Sequence, residues 1–236
     1  IGPWKMGDML AMRPFDGMWR ALGEHFKDAR LQQLFGRYAT YCGSSPFAAP
    51  ATLMLIAHVE ARGVWLINGG IHALAKALAA LAEKQGARLR TDAPVAEILT
   101  TNGRTSGVKL ASGEVIPADI VICNGDPGAL ATGRLGAGAA RAVPAIPPGK
   151  RSLSALVWYA HAATEGFDLS HHNVFFSRDY AREFREIAAG KPPSEPTVYV
   201  CATDRGAREA DPAPAPGTRE RLQIIVNAPA NGDVHD

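Results

Sequence analysis

Cysteine is scarce in this chain: Cys42, Cys123 and Cys201 are the only three in 236 residues, far apart and without a C-x-x-C. Such an odd, scattered set supports neither a disulfide framework nor a thiolate metal site, and it fits a reducing compartment. Charge of one sign is equally sparse. The net charge is +2 with no basic block, which excludes the electrostatic footprint of a nucleic-acid binder. Long apolar runs are wanting too. Residues 38–59 contain no Lys, Arg, Asp or Glu, but Gly43, Ser44, Ser45, Pro46 and Pro50 interrupt them. What remains, Ala51 to His58, is far short of the ~20 residues a spanning helix needs. There is no P-loop, H-E-x-x-H or G-x-S-x-G, and the only G-x-G, at Gly136 and Gly138, follows no strand. His171 and His172 invite a metal. Yet neighbours on a strand point to opposite faces, and no nearby carboxylate or cysteine completes a set, so no metal is expected.

What is present concentrates between Val64 and Pro127. A short apolar strand (64–67), the pair Gly69-Gly70 and a long Ala/Leu helix ended by Gly86 come first. Ile71, Leu74, Leu78 and Leu81 form one stripe, which predicts a helix packed on a sheet along its whole length. Two glycines ahead of a helix without an acid in its first turn let backbone N–H groups approach an anion, although such a turn is also a plain tight connection. Strands from Val95 to Thr101 and from Thr105 to Leu110 then flank an Asn102-Gly103 turn, a hairpin signal, and a short third strand follows the Ser112-Gly113 turn. Residues 119–123 read as a buried strand ending in Asn124, Gly125 and Asp126. Asp126 with Pro127 is an N-cap followed by a helix start, and the carboxyl end of such a strand is where open α/β sheets hold ligands.

On either side the pattern changes. Residues 1–62 read as short helices, with Asp16 and Asp28 as caps, and some of their Met, Phe and Leu residues suit either a core or a pocket for a large apolar ligand. From Gly136 to Lys150 the chain reads as a link. Beyond it, strands are predicted at 152–161, 173–176, 197–201 and 222–227, the first apolar enough on both faces to be mostly buried, with a helix from Asp179 to Ala188. The fold class is therefore mixed α/β, with a helical lid or substrate region at 1–62, a Rossmann-like cofactor layer at 63–135 and a sheet region at 136–236. The chain opens at Ile1 without a methionine or leader, and both ends read as cuts in a longer protein.

The segments W-L-I-N-G-G-I-H-A-L (65–74), T-D-A-P-V-A-E-I (91–98), G-V-K-L-A-S-G (107–113) and A-D-I-V-I-C-N-G-D (118–126) resemble the middle of the bacterial phytoene desaturases. These are FAD-dependent carotenoid desaturases in the superfamily of the amine oxidases. R-Y-A-T-Y (37–41), the run from Gly125 to Gly136 and H-H-N-V-F-F (171–176) are most similar to the branch acting on hydroxylated and methoxylated acyclic carotenoids. The resemblance implies FAD as cofactor and desaturation of a carotenoid by hydride transfer to the flavin. It also implies a lipid-borne substrate, hence a cytoplasmic protein peripheral to the inner, photosynthetic membrane. It places Val95 where the backbone pairs with the adenine, Gly69 and Gly70 in the turn near the cofactor, and Asn124, Gly125 and Asp126 at the strand end beside it. Asp8 resembles the start of a catalytic Asp-x-x-Arg, but Ala11 stands where the arginine should be. The family's phosphate-gripping glycine loop and its C-terminal flavin segment are not in the chain, so it reads as an internal fragment. Alternatives left open are a carotenoid isomerase or another flavin oxidoreductase of the superfamily, and a non-catalytic lipid carrier.

Overall fold

A computed structural model describes Gly7 and residues 13–206, 214, 215 and 217–232; the chain divides into two units, 67–150 and, together, 1–66 with 151–236. Helix α1 (Met18–His25) starts where the backbone is clamped. Met18 N–H donates to Ala49 O and Ala51 N–H to Asp16 O, both 2.8 Å, joining the entry of α1 to the Pro50 turn. Asp16, expected to cap α1, does not, and Gly17 stands at that position. Arg13 and Arg20 take its carboxylate instead, because ionic hydrogen bonds to guanidinium outcompete one to a neutral N–H. Asp28 does cap α2 (Ala29–Gly36), through Arg30 N–H. The brief α3 (Tyr38–Tyr41) follows, and a 3₁₀ turn (Ala51–Met54) leads into α4 (Leu55–Ala61). Met18, Leu22, Ala39 and Ala49 are the buried centre of these helices.

The second unit opens with α5 (Ile71–Lys84), and here expectation fails. No residue of α5 is buried, and Ile71, Leu74, Leu78 and Leu81 are exposed. Residues 64–67 and 119–123 carry no strand pairing among the described residues, with Trp65 80% and Ile122 90% exposed. Parallel strands bond only to neighbours remote in sequence, so an apolar run alone cannot make one. Hairpins need no such help. β1 (Val95–Thr101), β2 (Arg104–Leu110) and β3 (Val115–Pro117) form an antiparallel meander in that order. Asn102 (φ 52°) and Gly103 (φ 76°) supply the left-handed pair that a tight hairpin demands. Asp126 accepts from Gly128 N–H at 2.7 Å and caps α6 (Pro127–Ala131), whose Leu130 packs with Ile98 and Ala139 under the meander.

Residues from 151 on rejoin the first unit. β4 (Ser154–Ala163), β5 (His172–Phe175), β6 (Val198–Ala202) and β7 (Arg219–Ala228) make a four-stranded antiparallel sheet ordered β4-β7-β6-β5. β4 is an edge strand and, contrary to its apolar sequence, is not buried: Leu156, Val157, Trp158 and Tyr159 are exposed. Both of its faces are apolar, and neither is covered by another layer among the described residues. α7 (Tyr180–Ala188), capped by Asp179, seals against the helices through an aromatic joint. The Trp19 ring lies 4.5 Å from Phe47 and 6.0 Å from Tyr180, and Tyr180 lies 5.0 Å from Phe184. The joint is close-packed enough that a Cβ on Gly36 would come within 3.1 Å of the Trp19 ring.

Two buried carboxyl groups lock the sheet. Glu183 of α7 accepts from Ser177 Oγ (2.9 Å), Thr197 Oγ1 (2.6 Å), Thr197 N–H (3.1 Å) and Asn227 Nδ2 (3.3 Å), tying the helix to β7 and to the entry of β6. Glu220, 1% exposed, takes Arg205 Nε (2.8 Å) and Nη2 (2.9 Å) in a fork and Thr164 Oγ1 at 2.5 Å. Arg205 and then Thr164 hold Glu220 below the usual carboxylate range. Glu186 is held down to about 2 by Ser194 N–H and Arg182.

Removing one partner of a buried pair strands the other, so Glu220→Ala should cost about 3–5 kcal/mol in denaturant unfolding. Both depressed carboxylates add stability that is complete above their ordinary value of 4.5 and lost as pH falls through their folded values. Thermal midpoints should therefore be flat above the ordinary value and fall toward about 2, where Glu186 titrates. Tyr180 buries its hydroxyl without a hydrogen-bond partner among the described residues. Tyr180→Phe keeps the ring and removes that cost, and should raise the unfolding free energy by ~1 kcal/mol.

Candidate functional site

The residues expected around a cofactor are distributed unevenly. Gly69 (φ 84°) and Gly70 (φ 79°) do form the left-handed turn into α5, closed by Gly70 N–H donating to Ile67 O at 2.8 Å. A Cβ on Gly70 would meet nothing within 4 Å, no side chain caps α5, and its first turn holds no acid. Val95 opens β1, an outer strand of the meander. Asn124 and Gly125 are exposed, and the Asp126 carboxylate is spent on its helix cap. The elements that carry Val95 and the 124–126 segment meet in one packed group, in which Ile98 of β1 lies with Val121 and Leu130, on either side of that segment. Gly69 and Gly70 are not drawn into it, since the helix they start buries none of its residues. Asp8 lies outside the described residues.

These residues fit a planar, phosphate-bearing group in kind. An uncapped helix start behind two glycines presents free N–H groups to an anion, and the outer edge of a strand offers backbone donors and acceptors to a planar ring. The edge is not wholly free, as Ile98 N–H is taken by Leu135 O at 2.9 Å. A flavin nucleotide is a group of that kind.

The helices of the other unit form a cavity of about 430 Å³, open on one side, lined by Leu22, His25, Phe26, Phe35, Tyr38, Met54 and Ala57. Its wall is almost wholly apolar. Phe26 and Phe35 stack with ring centres 4.7 Å apart, and the Tyr38 hydroxyl donates to Glu60 at 2.5 Å. Burial, and then that carboxylate, push the Tyr38 phenol up to about 12, so it stays a donor at any working pH. Such a cavity accepts a hydrocarbon segment, with His25 and the Glu60-bonded Tyr38 as the polar side chains on its wall.

A third grouping was set aside in the sequence, and the structure corrects the reason. His171 precedes β5 rather than alternating with His172 inside it, so the two rings meet edge to face at 4.5 Å. Cys201 of β6 stands directly opposite His172 in the register. Both strands were legible, but their pairing was not, and only the pairing brings the thiol to the imidazoles.

Since the Asp126 side chain is occupied as a cap, its loss should be felt in stability. Asp126→Ala should cost ~1 kcal/mol in chemical denaturation and Asp126→Ser should recover most of it, because Ser also caps.

Comparison with known proteins adds the lineage. The family described as flavin containing amine oxidoreductase matches residues 9–227. Hydroxyneurosporene desaturase of Rubrivivax gelatinosus is 52% identical over 234 residues, 99% of this chain and 44% of that protein. The protein of the same name from Cereibacter sphaeroides is 52% identical over 219 residues, 93% of this chain and 43% of its own length. A zeta-carotene-forming phytoene desaturase of Myxococcus xanthus is 33% identical over 230 residues, 97% of this chain and 44% of that protein. The chain thus spans less than half the length of these relatives. With the family's pattern running across nearly all of it, the chain belongs to the flavin containing amine oxidoreductases.

Proposed function

We propose that this chain is part of an FAD-dependent carotenoid desaturase that introduces a carbon–carbon double bond into an acyclic hydroxy- or methoxycarotenoid. The observation that carries the reading is the identity to hydroxyneurosporene desaturases, sustained through both units rather than confined to one. Bound FAD supplies a hydride acceptor for removing two hydrogens from adjacent carbons beside a polyene. What is left to the protein is alignment of a long apolar rod and exclusion of water. The cavity around Phe26, Phe35 and Met54 suits the second task, for its wall has few groups that would hold solvent. The Gly69-Gly70 turn and the outer edge of β1 suit the nucleotide end of the cofactor.

The reading includes peripheral contact with the cytoplasmic face of the inner, photosynthetic membrane. No helix among the described residues is long and apolar enough to cross a bilayer. A water-insoluble substrate must still be collected from lipid, and exposed Trp158 and Tyr159 on the edge strand β4 are side chains that favour a membrane–water interface.

Full-length enzyme supplied with FAD and an acyclic 1-hydroxycarotenoid should yield a product whose absorption moves to longer wavelength by one added double bond. A product of unchanged conjugation, a mere geometric isomer, would overturn the desaturase reading. Met54→Trp, which fills the cavity, should suppress turnover while leaving the bound-flavin spectrum intact. In vesicle flotation the full-length protein should rise with the lipid, and recovery in the soluble fraction alone would remove the membrane part.

A further inference from the structure

The first unit contains a cluster that neither flavin nor carotenoid needs. One nitrogen each of His171 and His172 and the sulfur of Cys201 lie within 4.8 Å of one another. Cys201 Sγ and His171 Nε2 are 3.8 Å apart. Around a tetrahedral zinc ion, bond lengths of about 2.1 Å to nitrogen and 2.3 Å to sulfur put ligand atoms roughly 3.4–3.7 Å from one another. The sulfur–nitrogen pair, at 3.8 Å, is already close to that separation. The widest pair must close by about 1 Å to reach it.

The surroundings are those of a built site. His171 Nδ1 is 2.6 Å from Arg205 O, and since a carbonyl can only accept, Nδ1 carries the proton and Nε2 keeps its lone pair toward the sulfur. A ligating histidine is oriented by just such a bond from its far nitrogen. The carbonyl is itself immobilised, because the Arg205 side chain is forked onto buried Glu220 and also donates to Leu169 O at 2.6 Å and Asp168 at 3.0 Å. His172 is steadied by Tyr199, whose hydroxyl is 2.8 Å from Nδ1 and whose ring stacks on the imidazole. The thiol is buried, so it is shielded from bulk oxidants and from competing water.

We propose that His171, His172 and Cys201 bind a thiophilic d¹⁰ cation, zinc(II) in the first place, through two imidazole nitrogens and one thiolate with a fourth position open. Binding breaks the Cys201 S–H bond, sends that proton to solvent and forms the sulfur–metal bond, while the imidazoles donate existing lone pairs. Nothing is oxidised or reduced. Two imidazoles and a thiolate exclude the hard, oxygen-seeking cations, and three protein ligands rather than four are the pattern of an ion that still accepts a water or another donor. The site stands whether or not the desaturase reading holds.

The test uses the full-length protein with the exposed Cys42 and Cys123 replaced by Ala, so that Cys201 is the one thiol left within these 236 residues. After incubation with Zn²⁺ and dialysis, one zinc per chain is expected by elemental analysis. Co²⁺ in its place should give tetrahedral ligand-field bands and a near-ultraviolet thiolate charge-transfer band in the difference spectrum. Cys201→Ser should abolish the charge-transfer band. His172→Ala, a change at an exposed residue that keeps the sheet's circular dichroism, should weaken Zn²⁺ binding at least ~10-fold, the lower end of what groups one shell further out are worth. No retained zinc, or zinc retained with equal affinity by His172→Ala, would overturn the proposal.

Discussion

Trp19 is where sequence-distant parts of the first unit become one body. Its ring covers Gly36, stacks obliquely on Phe47 and reaches Tyr180, so α1, α2, the turn before Pro50 and α7 meet on a single indole. Aromatic pairs of this kind contribute about 0.5–1.5 kcal/mol each beyond the area they bury. Glu183 carries the connection onward from α7 to the Thr197 and Asn227 ends of β6 and β7. Wall and sheet are therefore coupled: the helices that line the apolar cavity and the strands that carry the histidine–cysteine cluster are positioned by the same joint. Gln33 and Gly43 add direct bonds across it, to Ser177 O and from Leu153 N–H.

What could be read in advance follows from how far each element reaches. The Asn102-Gly103 hairpin, the Asp28 and Asp126 caps, the Gly86 stop and the strands after 171 are decided within a few residues, and each lies where its local chemistry put it. Elements whose state depends on distant partners were misread. Residues 64–67 and 119–123 have the apolar run of a parallel strand but no ladder beside them among the described residues, and α5 has the stripe of a packed helix but no layer under it there. Hydrophobicity says that a segment wants cover. It does not say that cover is at hand. Asp16 failed for a different reason: Arg13 and Arg20 offered it stronger bonds than the helix did.

The candidate sites divide along the same line. Gly69, Gly70 and Val95 were found through a resemblance to a family rather than through chemistry of their own, and the structure gives them backbone conformations and positions suited to a nucleotide without assembling them into a single pocket. The apolar cavity was foreshadowed only by residue type, in the Met, Phe and Leu content of the first helices. The histidine–cysteine cluster was invisible, since a metal-ligand spacing across two strands appears only once their register is known, and His172 opposite Cys201 is a fact of pairing, not of spacing.

That register is expensive to establish, and the buried Glu220–Arg205 pair explains how it survives. β4 and β7 are the longest ladder among the described residues, running from Ser154 opposite Ala228 to Ala163 opposite Arg219, so the intervening residues must be closed into a loop before the first bond forms. Loop closure of that length is slow, although each doubling of length adds only about 0.6 kcal/mol. A one-residue slip would turn Glu220 from its buried position to the opposite face of the sheet. The carboxylate would then lose Arg205 and Thr164 together, and the Arg205 guanidinium, only 11% exposed, would be left without its main counter-charge, a cost set against any hydrophobic pairing gained by the slip. A buried ion pair adds little net stability over an apolar substitute, but it discriminates strongly between registers. Since Arg205 also fixes the carbonyl that orients His171, the register that satisfies Glu220 is the one that sets the imidazole lone pair facing Cys201.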